Sequence, residues 1–291
     1  MGNRVSDIMK ERMSFSFEVF PPKPDQPIEP LLDVLGKLYG FNPDFISCTY
    51  GAGGTNVGRN TEVCKAIHDS GNTAVTHFTC IGNTKEGVKE QLSNYLAMGI
   101  DHILALRGDL PAGWEGTRGD FKYASDLIGF IRKEFGSRFT IAMAADPEKH
   151  IQCDTFEEDI AHLRVKQDEG ADYIMTQLCF DVAQYERWVD KLRKAGITIP
   201  IDVGVMPVLN KDATIRMALS MNGCSIPREL AEIISRYYNS PEDFKKAGKE
   251  YTIKQLYDYM NAGADGLHLY ALNKYDDIAD IINASGIRTD K

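Results

Sequence analysis

The chain has 291 residues, 43% of them hydrophobic, which is enough to bury one large core and close to the usual size of an α/β barrel. Its 33 basic and 42 acidic residues leave a net charge of −9, a field that repels phosphate backbones and anionic lipid, so neither nucleic acid nor a membrane is expected as a partner. No apolar run reaches the roughly 20 residues a membrane helix needs, and residues 1–10 lack the apolar stretch of a secretory signal, so the expected location is the cytoplasm.

Short β-rich runs alternate with amphipathic helical segments from end to end, the pattern of a parallel sheet covered by helices. The first predicted strand, 14–20, reads Ser-Phe-Ser-Phe-Glu-Val-Phe; alternation turns Glu18 to the same side as Ser16, into the mouth of a barrel. A carboxyl there is desolvated, and its pKa is expected to rise toward the range of a general acid. A structural glutamate paired with a barrel arginine is the alternative.

The second strand, 44–50, ends in Thr49-Tyr50-Gly51-Ala52-Gly53-Gly54, whose glycines permit close approach of a ligand or simply shape a turn. The third, 73–79, closes with His77 and Thr79. The fourth, 102–106, runs into Arg107-Gly108-Asp109-Leu110-Pro111, and the fifth, 139–144, is followed by Asp146-Pro147-Glu148-Lys149-His150. Thr155 and Glu158 have capping-box spacing at the head of the next helix, which Gly170 ends. The sixth strand, 173–177, finishes on Gln177. Val182, Tyr185, Trp188, Val189 and Leu192 then share one helical face, and that helix stops at Gly196. Strands at 201–205 and 266–270 complete eight units, and the long stretch 222–261 between them predicts extra helices.

Gly99-Ile100-Asp101, Gly170-Ala171-Asp172 and Gly263-Ala264-Asp265 each precede a strand, as though one turn were reused. A closed (β/α)8 TIM barrel, one domain over 1–291, accounts for this better than an open doubly wound sheet. Such a sheet needs a glycine-rich fingerprint after its first strand, where Phe20-Pro21-Pro22-Lys23-Pro24 stands instead. Cys48, Cys64, Cys80, Cys153, Cys179 and Cys224 contain no C-x-x-C pair and read as reduced core thiols, and no cluster has the ligands of a metal site. The active site of a barrel lies at the carboxyl ends of its strands. Two carboxylates, two histidines, an amide and an arginine gather there, which many chemistries could use.

With these residues in order the sequence resembles the methylenetetrahydrofolate reductase family, over nearly the whole chain from Ser16 to Asn273. The ordered matches are Phe17-Glu18-Val19-Phe20-Pro21-Pro22-Lys23, Thr49-Tyr50-Gly51-Ala52, His77-Phe78-Thr79-Cys80, Leu106-Arg107-Gly108-Asp109-Leu110-Pro111, Tyr123-Ala124-Ser125-Asp126-Leu127, Thr176-Gln177 with Phe180-Asp181, and Gly204-Val205-Met206-Pro207-Val208. The resemblance implies an oxidoreductase of one-carbon metabolism whose flavin passes a hydride to 5,10-methylenetetrahydrofolate, giving 5-methyltetrahydrofolate. Glu18 would protonate the folate, and Asp109 would lie between flavin and pterin and tune the flavin. Gln177, Lys274 and Met217 would bind substrate. Thr49, His77, Arg107, Gly108, Asp109, Tyr123, Ala124, His150, Asp159 and Lys166 would hold the cofactor, FAD with FMN as the alternative.

NADH is the implied donor, an iron–sulfur partner protein the alternative, and a homo-oligomer is expected. Longer relatives carry a further carboxyl-terminal regulatory domain, so effector control is not expected here. Departures from the family pattern are Asp146 for an aromatic residue, His162 for an asparagine, Val165 for an arginine, Met217 for a phenylalanine and Lys274 for an arginine. Lysine keeps the charge and loses the bidentate fork. Met217 reads equally well as helical core. A flavin-free folate or corrinoid methyltransferase barrel, and a barrel that only scaffolds a redox complex, are the competing classes.

Overall fold

Eight parallel strands pair in chain order and close on themselves: β1 (Ser14–Val19), β2 (Phe45–Cys48), β3 (Ala74–Thr79), β4 (His102–Leu106), β5 (Thr140–Ala145), β6 (Tyr173–Thr176), β7 (Ile201–Val205) and β8 (Gly266–Tyr270). The computed structural model describes residues 4–50, 57–110, 113–220 and 224–287. The Gly51-Ala52-Gly53-Gly54 stretch, Pro111 and Asn222 lie outside the described residues. Around the barrel run α1 (Val5–Glu11), α2 (Glu29–Leu38), α3 (Val57–Asp69), α4 (Lys85–Ala97), α5 (Ala124–Phe135), α6 (Phe156–Asp168), α7 (Val182–Lys194), α8 (Lys211–Ser220), α9 (Arg228–Arg236), α10 (Pro241–Asn261) and α11 (Tyr275–Ser285). The expected barrel and its extra helices, α9 and α10, are both present. No described helix is long and apolar enough to cross a membrane.

Strand alternation divides the barrel into two faces. Phe15, Phe17, Val19, Ile46, Phe78, Ile103, Ile141, Ile174, Val203, Leu267 and Leu269 join the helices in the main core. The other parity lines the interior, and at its lower end Phe45, Val75, Leu104, Ala142, Tyr173 and Met175 meet Val5 and Met9 of α1. This first helix, absent from the predicted elements, closes the amino-terminal end of the barrel and leaves the other end as the mouth.

The reused turn is real. Gly99, Gly170 and Gly263 have φ of 81°, 111° and 75°, left-handed values that favour glycine. Asp172 Oδ2 then accepts the Ile141 N–H at 2.7 Å, and Asp265 Oδ2 accepts that of Ile201 at 2.8 Å, stapling each strand entrance to its neighbour. At the head of α6 Thr155 Oγ1 accepts the Glu158 N–H at 3.1 Å, while Glu158 reaches back to the N–H of Asp154 at 2.8 Å rather than to that of Thr155. The predicted second strand is shorter than 44–50. Asp44 precedes the strand: its N–H donates to Phe15 O at 2.8 Å while its side chain accepts the Phe15 N–H at 3.0 Å and pairs with Arg12, and Thr49 and Tyr50 belong to the rim.

Candidate active site

Glu18, next to last on β1, stands at the mouth with its side chain 18% exposed. Its Oε2 lies 3.4 Å from Nε2 of His77 on β3 and 3.5 Å from Nε2 of His268 on β8. Burial pushes the carboxyl up, but the hydrogen bond from His268 and the charges of His77 and His268, with help from Ser47, outweigh it, so the pKa is lowered. This corrects the expectation of a raised pKa: the desolvation is there, and two histidines from distant strands overcome it. The partners are histidines, not the arginine of the alternative reading. Burial in turn lowers the pKa of His77 against the pull of Glu18, and its Nε2 has no hydrogen bond of good geometry.

The residues singled out for a cofactor fall on one arc of the rim. Thr49 follows β2, where its N–H donates to Val19 O at 3.1 Å. Arg107 and Gly108 follow β4; Arg107 donates to Gly108 O at 3.1 Å and to Gln152 Oε1 at 2.7 Å. Gly108 has φ 92°, and a Cβ there would stand 2.7 Å from Ile81 Cγ2, so the position demands glycine. Asp109 is exposed on the same loop. Tyr123, half exposed, precedes α5, whose first residue is Ala124, and Asp126 accepts the Tyr123 N–H at 2.9 Å.

Further round the arc, His150, Asp159 and Lys166 gather by the β5 end. Lys166 Nζ donates to Ala144 O at 2.9 Å; burial lowers its pKa, with Asp146 and Asp159 opposing. Burial first, then Asp146, pushes the Asp159 carboxyl up, and its Oδ2 is buried without a hydrogen-bond partner. His150 Nδ1 accepts the Gln152 N–H at 3.2 Å. The departures border this group, with Val165 47% exposed and His162 Nδ1 3.6 Å from the Cys153 thiol.

These residues fit a flavin. Arg107 and Lys166 offer cationic donors for an anionic tail, Tyr123 an open ring, and Asp159 Oδ2 a buried polar atom without a hydrogen-bond partner.

On the opposite side Gln177 follows β6, its Oε1 accepting the Leu178 N–H at 2.9 Å, in a small cleft shared with Asp146, Glu148 and Cys224. Met217 on α8 packs on a satellite core with Leu178, Met206 and Tyr270, the core reading of that residue. Lys274 is exposed at the head of α11. Asn273 beside it donates to Phe20 O at 2.8 Å and accepts the Phe20 N–H at 3.2 Å, clipping the β1 and β8 loops together.

Sequence reasoning missed His268, Ser47, Asn60 and Asp202. Fully buried Asn60 donates to Cys48 O at 2.9 Å and Thr49 O at 3.0 Å, and accepts from Thr76 Oγ1 at 2.8 Å and Tyr95 OH at 3.0 Å, holding the end of β2. His268 and Asp202 had a visible signal, a polar residue inside an apolar strand, the same one that marked Glu18. All six cysteines are buried and free, and no described cluster of His, Cys, Asp or Glu could hold a metal ion.

Fold and mouth together define the class: a (β/α)8 barrel with an acid–base constellation at the carboxyl ends of its strands. The family model described as Methylenetetrahydrofolate reductase matches residues 4–286, and the chain belongs to that family. The 5,10-methylenetetrahydrofolate reductase of Pectobacterium carotovorum is 34% identical, covering 97% of this chain and 93% of its own. That of Escherichia coli is 32% identical, covering 95% and 92%. Methylenetetrahydrofolate reductase 1 of Schizosaccharomyces pombe is 34% identical over 96% of this chain, which spans 47% of that longer relative. Among solved structures, a Clostridium thermocellum protein described as binding two copies of 5-methyl-5,6,7,8-tetrahydrofolic acid superposes with a TM-score of 0.67 at 15% identity, covering 95% of each chain. That likeness is one of fold.

Proposed function

We propose that the chain reduces 5,10-methylenetetrahydrofolate to 5-methyltetrahydrofolate. The observation that carries this reading is Glu18, a carboxylate held between two histidines at the mouth of a barrel whose sequence matches the reductase family from residue 4 to 286. A flavin, when bound, supplies the hydride chemistry, taking a hydride from a nicotinamide and giving it to the methylene carbon of the folate.

Glu18 protonates the folate nitrogen as the five-membered ring opens. It is held ionised while the mouth is wet; a pterin that covers it excludes water, strengthens the burial that already opposes its charge, and drives it to its acid form. Gln177 orients the folate. Arg107 and Lys166 hold the anionic tail of the cofactor, and Asp159 accepts from it. The cofactor we propose is FAD and the donor NADH, a reading supported by relatives from Arabidopsis thaliana and Zea mays whose names specify NADH.

Stopped-flow tracking of flavin colour in Glu18→Gln tests the reading. Folate-driven reoxidation should slow about 100-fold or more, the usual contribution of a general acid, while reduction by the donor stays near wild type. Equal loss in both half-reactions, or none in the folate step, overturns it.

A further inference from the structure

Below Glu18 the barrel interior holds polar side chains that the reaction as described leaves idle. Asp202 and His268 are fully buried, as are Ser14, Ser16 and Ser47. Asp202 Oδ2 is 3.2 Å from Ser16 Oγ, Ser16 Oγ is 2.7 Å from His268 Nδ1, and His268 Nε2 is 3.5 Å from Glu18 Oε2. His268 Nε2 also lies 3.1 Å from Ser47 Oγ, and its ring stacks on Phe45 at a 5.5 Å centroid distance, which fixes the imidazole plane. A continuous file of exchangeable protons therefore runs from the barrel interior to the mouth.

Among the described residues no lysine or arginine pairs with Asp202. Ser14 and Ser16 face it from β1, Tyr173 from β6, and Gly266 and His268 from β8, while Asp44 and Asp265 at the strand entrances add like charge. A Cβ on Gly266 would stand 2.4 Å from Asp202 Oδ1 and 2.2 Å from Ser14 Oγ, so glycine leaves room for this carboxyl. Burial, aided by Asp44 and Asp265 and opposed by His268 and Ser16, pushes Asp202 up to about 7. Such a group is protonated over much of the neutral range, in contrast to Glu18.

We propose that Asp202 is a positioning residue that stores the proton with which Glu18 is recharged. The transfer balances. The Asp202 carboxyl gives its proton to Ser16 Oγ, Ser16 gives its own to His268 Nδ1, and His268 releases its Nε2 proton to Glu18. Asp202 ends as carboxylate, Glu18 as carboxylic acid, Ser16 unchanged and His268 in its other tautomer. Solvent returns the proton after turnover. The inference rests on the reading of Glu18 as the acid.

The test combines infrared titration of the protein without substrate, its aspartates carrying 13C in the carboxyl, with pH profiles of the folate half-reaction. Wild type should show an aspartic-acid carbonyl band that titrates near neutral pH, and Asp202→Asn should lack it. In Asp202→Asn and Ser16→Ala the folate half-reaction should slow about tenfold below the midpoint of the band, where wild-type Asp202 still holds its proton, converge with wild type above it, and lose the inflection that follows the band. Ser16→Ala should keep the band itself, and it carries the kinetic test alone if Asp202→Asn does not fold. Absence of the band in wild type, or wild-type pH profiles in the variants, overturns the proposal. Glu18→Gln separates the failures: if it still reduces folate, the reading of Glu18 has failed; if it does not, while the other variants behave as wild type, only the role of Asp202 has.

Discussion

Oε2 of Glu18 stands 3.4 Å from Nε2 of His77, a histidine that burial pulls toward its neutral form while the carboxylate pulls the other way. After the hydrogen bond from His268, the charge of His77 does most to lower the pKa of this desolvated glutamate, which makes His77 a lever on the acid. In His77→Gln, which keeps a polar side chain and can carry no charge, the pKa of Glu18 should rise. Folate reduction needs the acid form and falls as pH climbs through that pKa, so its inflection should move to higher pH. The sign for stability follows. A lowered carboxyl pKa contributes stability that is present above the ordinary value of 4.5 and lost as pH falls through the folded value, so the variant should lose less on acidification. An inflection that stays put or moves down removes His77 from this role.

Asp202 predicts the opposite dependence. Its folded pKa of about 7 lies above the ordinary 3.8, so its contribution is fully present below that ordinary value and lost as pH rises through 7. Between pH 4 and pH 8 the loss is on the order of 4 kcal/mol. Asp202→Asn should cancel most of it, seen as a smaller fall in unfolding free energy from pH 4 to pH 8 than wild type in urea titrations. Parallel pH curves for the two proteins would show that Asp202 ionises freely.

Asn60 is fully buried, and two of its hydrogen bonds go to the carbonyls of Cys48 and Thr49 at the end of β2. Asn60→Ala strands those partners, at roughly 1–3 kcal/mol for each that water cannot reach. A total of about 3 kcal/mol should lower Tm by roughly 6–12 °C. Calorimetry reads this directly, and a fall of less than about 2 °C would mean the β2 end is held by something else.

Asp109 is exposed on the β4 loop, one residue beyond the glycine that the packing demands. If its charge faces the flavin, Asp109→Asn should make the flavin easier to reduce and weaken folate binding, because a negative charge disfavours an anionic reduced ring. Spectroelectrochemistry showing a midpoint potential unchanged or more negative, with folate affinity intact, would place Asp109 outside the site.

The donor is open to a direct assay. Asp146, Val165 and Met217 alter surfaces tied by resemblance to cofactor and nicotinamide; at Asp146 and Met217 the family pattern has an aromatic residue, and losing an aromatic contact of ~0.5–1.5 kcal/mol weakens binding by about tenfold. Purified protein should therefore bleach its flavin with NADH, slowly and measurably. Flavin that stays oxidised in anaerobic excess NADH and NADPH, yet bleaches with a low-potential reductant, would point to electrons fed by an iron–sulfur partner.

The barrel was legible in the sequence because its determinants are local: strand-length apolar runs at regular intervals, the Gly-x-Asp turn used three times, and a long insertion before the last strand. Glu18 and His77 were legible for the same reason, as polar side chains near the ends of such runs. His268 in Leu267-His268-Leu269 and Asp202 in Ile201-Asp202-Val203 carried an equal signal whose meaning depends on their neighbours. Only closure of the barrel, which pairs β1 with β8 and sets Ser16 opposite His268 across 252 residues of chain, makes one buried file of them. The direction of the Glu18 pKa was decided there too. Desolvation is a property of the strand in which a residue sits, whereas the charges that overcome it arrive from β3 and β8, and electrostatic interaction depends on distance in space, which no local pattern of residues encodes.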